Sequence, residues 1–437
     1  MKKTKPRILS GFMELLPKDQ LVFNWMFDTI RATYERFGFT PIETPAIELS
    51  EILLAKGGGE TEKQIYRFMR GDTDLALHFD LTIPLARYVA EHYGDLVFPF
   101  RRYQMQKVWR AERAQKGRFR EFYQCDIDVI GSLNPLIDAE IPSVIYSAFK
   151  ALGLDDITIR INNRKLLAGF MDALDVRSKA MEILRAIDKI EKQGDSAVIE
   201  ELVSLEITEK KAGQILEFTK MTGPNNEILS SMEALAISND LFQKGLEELR
   251  TVSEAVKAFG VPEKSYKIDL TIARGLDYYT GTVYETILNK YPGIGSVCSG
   301  GRYDDLAQYY TDKELPGVGI SIGLTRLFYQ LCEAGMVSPN QSTPSKVLIS
   351  HLGTGYLGRC LEIATSLREE GINTEVYFDS EKIGKQLQYA NKLKIPFVLI
   401  VGENEVKSNS VTLKEMRTGE QRLVTLAETI KSVKSTF

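Results

Sequence analysis

The chain has 437 residues, 43% of them hydrophobic and 26% charged, with a formal net charge of −4; that length exceeds one hydrophobic core and predicts roughly two to four domains of ordinary globular composition. The four cysteines (Cys125, Cys298, Cys332, Cys360) show no paired spacing, and the three histidines (His78, His92, His351) are too few for a multi-histidine centre, so neither a disulfide framework nor a metal site is expected. No apolar run of signal-peptide or membrane-spanning length is present, and the sequence reads as cytoplasmic with no membrane partner.

An amphipathic helical pattern runs from Lys18 to Phe37 and stops at Gly38. Residues 39–48 carry Pro41 and Pro45 and are predicted extended, because proline pushes its neighbours away from helix. Gly57-Gly-Gly-Glu60 reads as a loop, and Tyr66–Met69 and Leu75–Phe79 as short strands around a Gly71-Asp72 turn. Asp80 and Thr82 follow that strand on a shared face, and a helix begins at Thr82 with Pro84 in its first turn, a favoured place.

Residues 98–131 are the most informative segment. Between Phe98 and Gln124 there are eight Lys/Arg against two Glu, in a chain that is negative overall. An apolar/polar run to Trp109, a charged loop with Gly117 and an alternation from Phe119 to Ile130 predict a hairpin. Residues two apart on a strand share a face. Phe122, Gln124 and Asp128 therefore project together, while Tyr123, Ile127 and Val129 point the other way. With Arg110 and Glu112 available from the partner strand, this is a polar binding face. A solvated strand with scattered charges would account for Arg101 and Arg102, but such a strand gains nothing from an aromatic ring at Phe122. The concentrated positive charge also leaves room for a nucleic-acid partner despite the acidic total.

After about Phe170 the sequence becomes rich in Leu, Glu and Lys, which predicts an all-helical insertion over 170–261. Strand patterns return at Tyr266–Ile272, Thr282–Leu288 and Gly295–Ser299, and a helix is expected at Ile322–Cys332. Gly335–Ser345 has linker composition. Beyond it, strands at Val347–Ser350, Asn373–Phe378 and Phe397–Val401 alternate with helices at Gly358–Glu370 and Lys382–Leu393, and Val424–Ser432 is read as a final helix. That alternation indicates a separate α/β module.

Two further segments carry unexpected polar density. Ala273-Arg-Gly-Leu-Asp-Tyr-Tyr-Thr-Gly281 sets Arg274, Asp277, Tyr278 and Tyr279 between two strands. Gly317–Phe328 is a glycine-spaced apolar strand entering a helix that carries Arg326 on its first turns, and an arginine in such a join needs an anionic partner.

Together these segments closely resemble the histidyl-tRNA synthetase family of class II aminoacyl-tRNA synthetases. Phe39–Pro45 looks like the dimer-interface motif 1, 98–131 like motif 2 and 317–328 like motif 3, with Thr325 where Glu is common. Arg274-Gly-Leu-Asp-Tyr-Tyr279 and Gly300-Gly-Arg-Tyr-Asp304 are similar to the two histidine-specific motifs. The resemblance implies an α/β fold with an α+β catalytic core on an antiparallel sheet with helices (1–169 and 262–335), a helical insertion (170–261), a linker (336–345) and a C-terminal α/β anticodon-binding domain (346–437). It implies ATP as substrate, Mg2+ with it, histidine and its tRNA as partners, and a homodimer. For the site it implies that Arg110 holds the α-phosphate, that Arg118 and Arg326 hold the outer phosphates, that Phe122 stacks on adenine and that Glu112 lies near the adenine amino group. Gln124 and Asp128 would face the imidazole, and Asp80, Leu81 and Thr82 the ammonium end. Arg274 would bridge carboxylate and α-phosphate, Tyr278 and Tyr279 would wall the pocket, and Arg113 and Gln115 would meet the tRNA acceptor end. The competing readings are a synthetase-like regulatory subunit of ATP phosphoribosyltransferase without aminoacylation, and a threonyl or prolyl enzyme of the same class.

Overall fold

The computed structural model describes residues 3–55, 64–113, 117–187, 189–272, 279–337 and 342–436. Two compact units form: Met1–Met13 with Met26–Ala334, and Glu14–Trp25 with Gly335–Phe437. The loop expected at 57–60, part of the linker (338–341) and most of the Arg-Gly-Leu-Asp-Tyr segment (273–278) lie outside the described residues.

In the first unit the strands are β1 (Thr40–Pro41), β2 (Ile47–Leu49), β3 (Arg67–Arg70), β4 (Thr73–Leu77), β5 (Phe100–Trp109), β6 (Glu121–Ile130), β7 (Ile157–Asn163), β8 (Tyr266–Ile268), β9 (Thr282–Leu288), β10 (Cys298–Tyr303) and β11 (Gly317–Gly323). Eight of them form one sheet in the order β1-β5-β6-β11-β10-β9-β7-β8. Pairing is antiparallel except at the two ends, where β1 joins β5 and β7 joins β8 in parallel. A small sheet, β2-β4-β3, stands beside it.

The β5–β6 hairpin pairs Phe100 with Ile130 and Trp109 with Glu121. Its odd-numbered β6 side chains lie under the helix Pro17–Arg36, where Tyr34 donates to the Cys125 carbonyl at 3.0 Å and Phe27 meets Tyr123 edge-on. One face of β6 is thereby committed to packing, and the even-numbered face, from Phe122 to Asp128, is left for other work.

Three expectations shift. The strand expected to reach Ile272 ends at Ile268, because the Asp269 carboxylate accepts from the Thr271 backbone N–H and hydroxyl and turns the chain. The strand expected at Gly295–Ser299 begins only at Cys298, after a 3-10 turn at Pro292–Ile294 and a positive φ at Gly295, and it runs on through Gly300 and Gly301. Glycine there marks close approach rather than a strand end: a Cβ on Gly300 would lie 2.1 Å from the Gly319 carbonyl oxygen. In the second unit, Val424 closes a strand instead of opening a helix.

Between Arg164 and Ala258 the described residues are helical and turn segments, from Arg164–Ala173 to Asp240–Ala258. Those two helices cross closely at Gly169 and Gly245, where added Cβ atoms would meet backbone nitrogens at 2.5 and 2.8 Å. Phe170 stacks on Phe218 beside the crossing, with ring centroids 4.3 Å apart.

The second unit has β12 (Val347–His351), β13 (Thr374–Val376), β14 (Phe397–Val401), β15 (Val411–Glu415) and β16 (Gln421–Val424) in the order β13-β12-β14-β15-β16. The first three are parallel and buried under helices Leu357–Glu369 and Ile383–Leu393, as a βα pattern demands. β15 and β16 form an antiparallel edge that the sequence reading lacks. The last helix starts at Leu426 because Thr425 caps it, with Glu428 reaching back to complete a capping box.

Candidate active site

The even-numbered face of β6 floors a cavity of about 430 Å3, walled by β10, β11 and the start of the helix Thr82–Glu91. Along β6 the lining runs Phe122, Gln124, Asp126, Asp128, a rise of about 20 Å at roughly 3.3 Å per residue. β11 runs antiparallel beside it, with Gly319 opposite Asp128 and Gly323 opposite Gln124. A glycine is required at 319: its Cβ would sit 2.1 Å from Asp128 Oδ1.

The two ends differ in charge. At one end Asp80, Asp126 and Asp128 converge, all buried. Arg102, fully buried behind them, donates to Asp128 Oδ2 at 2.7 Å and to the Leu81 carbonyl at 3.3 Å. Tyr303 donates to Asp128 Oδ1 at 2.6 Å. Burial raises the Asp128 carboxyl to about 6 against the opposing pull of Arg102, and raises Asp126 to about 7. Asp80 is also pushed up by burial; its Oδ1 accepts from the Ile83 N–H in the first turn of the helix, but its buried Oδ2 has no partner among the described residues. Three carboxylates with one arginine among them favour a cationic ligand rich in N–H donors.

Toward the other end lie Arg110, Arg118, Arg326, Glu112 and Phe122. Arg110 sits 5.1 Å over the Phe122 ring and donates to the Phe79 carbonyl. Arg326 donates to the Ile294 carbonyl at 2.8 Å and keeps a buried Nε unpartnered among the described residues. Burial and the nearby Arg118 hold Arg326 below its ordinary value. Arg118 leans only loosely on Glu112, at 3.8 Å. Such crowded guanidinium groups are relieved by a phosphate-type anion.

Of the residues singled out from sequence, Asp80, Thr82, Arg110, Glu112, Arg118, Phe122, Gln124, Asp128, Tyr279 and Arg326 line this one cavity. Leu81 does not: its side chain is fully buried, and its carbonyl serves Arg102. Arg113 is exposed and away from the lining, and Gln115, Arg274 and Tyr278 lie outside the described residues. Asp126 and Ser321, which the sequence reading passes over, also line the cavity, as does Tyr303, which it carries within the Gly300–Asp304 motif without a role of its own. Asp126 was within reach of the two-residue spacing that picked out Gln124 and Asp128. Ser321 is the one hydroxyl in the strand Gly317–Gly323.

A largely antiparallel sheet flooring a cavity with stacked Arg and Phe at one end and carboxylates at the other is the core of the class II aminoacyl-tRNA synthetase that the motifs resemble. Residues 11–327 match the family described as Histidyl-tRNA synthetase, and residues 346–436 match that described as Anticodon binding domain. The Histidine--tRNA ligase of Clostridium tetani (strain Massachusetts / E88) is 59% identical over 440 aligned positions, covering all of both chains. The crystal structure of histidyl-tRNA synthetase from Nostoc sp. PCC 7120 superposes with a TM-score of 0.93 at 40% identity, again over all of both chains. An ATP phosphoribosyltransferase regulatory subunit/histidyl-tRNA synthetase from Bacillus halodurans C shares the fold, with a TM-score of 0.75 at 20% identity over 91% of this chain and all of that one. The chain belongs to the histidyl-tRNA synthetase family.

Proposed function

We propose that this chain attaches histidine to its tRNA at the expense of ATP, through a histidyl-adenylate. The observation that carries the proposal is the two-ended cavity: N–H acceptors at one end, guanidinium groups and an aromatic plate at the other. In the first step a carboxylate oxygen of histidine attacks the α-phosphorus, and the bond to pyrophosphate breaks. In the second, a hydroxyl of the terminal adenosine attacks the anhydride carbonyl, and AMP leaves. Both steps depend on positioning and on stabilising charge as it moves, so no protein nucleophile is needed.

Within that reading Asp128 and Gln124 meet the imidazole, and Asp80 and Thr82 take the ammonium. Arg110 and Arg274 flank carboxylate and α-phosphate, and Arg118 and Arg326 hold the outer phosphates. Phe122 stacks on adenine once Arg110 swings from its face to the phosphate, with Glu112 beside the amino group, and Tyr278 and Tyr279 close the wall. Arg113 and Gln115 are assigned to the acceptor end of the tRNA. Mg2+ belongs to ATP chemistry. The C-terminal module, as a domain of its own after the 336–345 linker, would read the anticodon, and the 170–261 helices form an insertion in the core. Motif 1 supports a homodimer. A cytoplasmic setting fits this activity, and no helix among the described residues is long and apolar enough to cross a membrane.

The regulatory-subunit alternative is weaker because Arg110, Glu112, Arg118 and Arg326 line the cavity and the C-terminal module is present. Histidine-dependent ATP–pyrophosphate exchange, run against each other amino acid, tests class, substrate and activity together. Exchange with threonine or proline in place of histidine would overturn the substrate. Arg274→Ala should nearly abolish exchange, by the several kcal/mol typical of losing a group that meets developing charge; near wild-type exchange would remove Arg274 from the site.

A further inference from the structure

A glutamine amide has two ends of nearly equal shape and opposite hydrogen-bonding character, so what Gln124 offers a ligand depends on what fixes it. Its Nε2 donates to Ser321 Oγ at 2.7 Å. Its buried Oε1 has no partner among the described residues. Ser321 of β11 stands directly opposite Asp126 of β6 in the strand register, which sets its hydroxyl beside the Asp126 carboxyl, where it favours the charged form. Asp126 is 3% exposed, and its other oxygen, Oδ1, is unpartnered among the described residues.

A serine hydroxyl has one proton. When a carboxylate at Asp126 takes it, Ser321 can only accept from Gln124, and the amide must turn its N–H2 inward and its oxygen outward. We propose that Asp126 and Ser321 are positioning residues that lock the Gln124 amide with Oε1 toward the cavity, as an acceptor for an N–H of the bound amino acid. Asp126 thus acts on the substrate through two other side chains, which gives a function to a carboxylate whose burial is otherwise costly. The inference rests on the histidine-pocket reading of Gln124 above.

The test uses the full-length chain in histidine-dependent ATP–pyrophosphate exchange, with thermal unfolding of each variant. Ser321→Ala frees the amide and should raise the KM for histidine about tenfold or more, with the KM for ATP within about twofold of wild type, as expected for a lost buried hydrogen bond at one substrate only. Ser321→Thr keeps the hydroxyl and should restore most of the loss. Asp126→Asn replaces a pure acceptor with an amide that offers Ser321 either end, so it should raise the histidine KM by no more than Ser321→Ala does. The double variant should be no worse than Ser321→Ala alone, because the residues act in series. A histidine KM within about twofold of wild type in Ser321→Ala, equal loss in Ser321→Ala and Ser321→Thr, or multiplying penalties in the double variant would each overturn the relay. If Asp126→Asn does not fold, the Ser321 pair still decides. Absence of histidine-dependent exchange in the wild type would instead sink the function, a result distinct from any of these.

Discussion

Asp126 and Asp128 lie two positions apart on the same strand face, and both are held above the ordinary carboxyl range, Asp126 at about 7 and Asp128 at about 6, with burial as the main cause in each. The sign of the consequence follows from proton counting. A carboxyl raised in the folded state binds more protons there than in the unfolded chain between its two values, so its contribution to stability falls as pH rises through that window. For Asp126 the window runs from its ordinary 3.8 to about 7. Asp126→Asn cannot charge, so the variant should gain melting temperature over wild type at pH 8 and show much less gain at pH 5. The upper limit is about 4 kcal/mol at the higher pH. Unfolding curves of the ligand-free proteins at both pH values check this, and an equal difference at the two would show that Asp126 is not the titrating group. Asp128→Asn should act on substrate as well. In the proposed function its carboxylate, fixed by Arg102 and Tyr303, is the acceptor for a ring N–H, whereas an amide offers a mixed edge. A cost of roughly 1–3 kcal/mol in histidine binding, with ATP little changed, is expected; a histidine KM within about twofold of wild type would leave Asp128 a purely structural role.

At the level of elements, strand periodicity carries most of what the sequence could say about the site. The two-residue repeat in β6 and the glycine-spaced β11 give the floor of the cavity from local pattern alone, and the Asp80–Thr82 step gives one wall. What local pattern cannot give is which strands become neighbours. Tyr303 reaches Asp128, 175 positions away in sequence, only because β10 and β6 flank β11 in the sheet. Ser321 gains meaning only from the register that sets it against Asp126. The same limit explains Gly300, which looks like the end of a strand, and Gly319 within the glycine-spaced strand: each glycine is demanded by a close neighbour. Gly319→Ala would drive its methyl into Asp128 Oδ1 and the Ile127 carbonyl, 2.1 and 2.3 Å from the new carbon. Because backbone cannot yield as a side chain does, a loss of roughly 1–3 kcal/mol or more in stability is expected, with histidine-dependent exchange abolished. Gly94→Ala, with nothing within 4 Å of its Cβ, is the matched control. Parity of the two variants in melting temperature would show that β11 can shift to make room.

For the whole molecule, the division of labour between the adenylate-forming core and the C-terminal module is the least legible part of the sequence. The module from Ser345 onward carries 13 Lys/Arg against 11 Asp/Glu, a balance that does not announce an RNA partner, and its βα pattern fits many roles. Its parallel β13-β12-β14 core is nonetheless a complete hydrophobic unit, with Val347, Ile349, Leu367, Leu399 and Val401 buried together. Every residue assigned above to histidine or ATP precedes the linker. Ending the chain at residue 337 should therefore leave histidine-dependent ATP–pyrophosphate exchange measurable while reducing tRNA charging severely. Charging by the full chain should also fall steeply as salt rises, since RNA contacts through Lys and Arg release counterions, whereas exchange, which needs no RNA, should fall far less. Exchange and charging assayed side by side on both chains, across a salt series, separate the two units' contributions. A shortened chain that charges tRNA as well as the full one would mean that the C-terminal module binds something other than the anticodon.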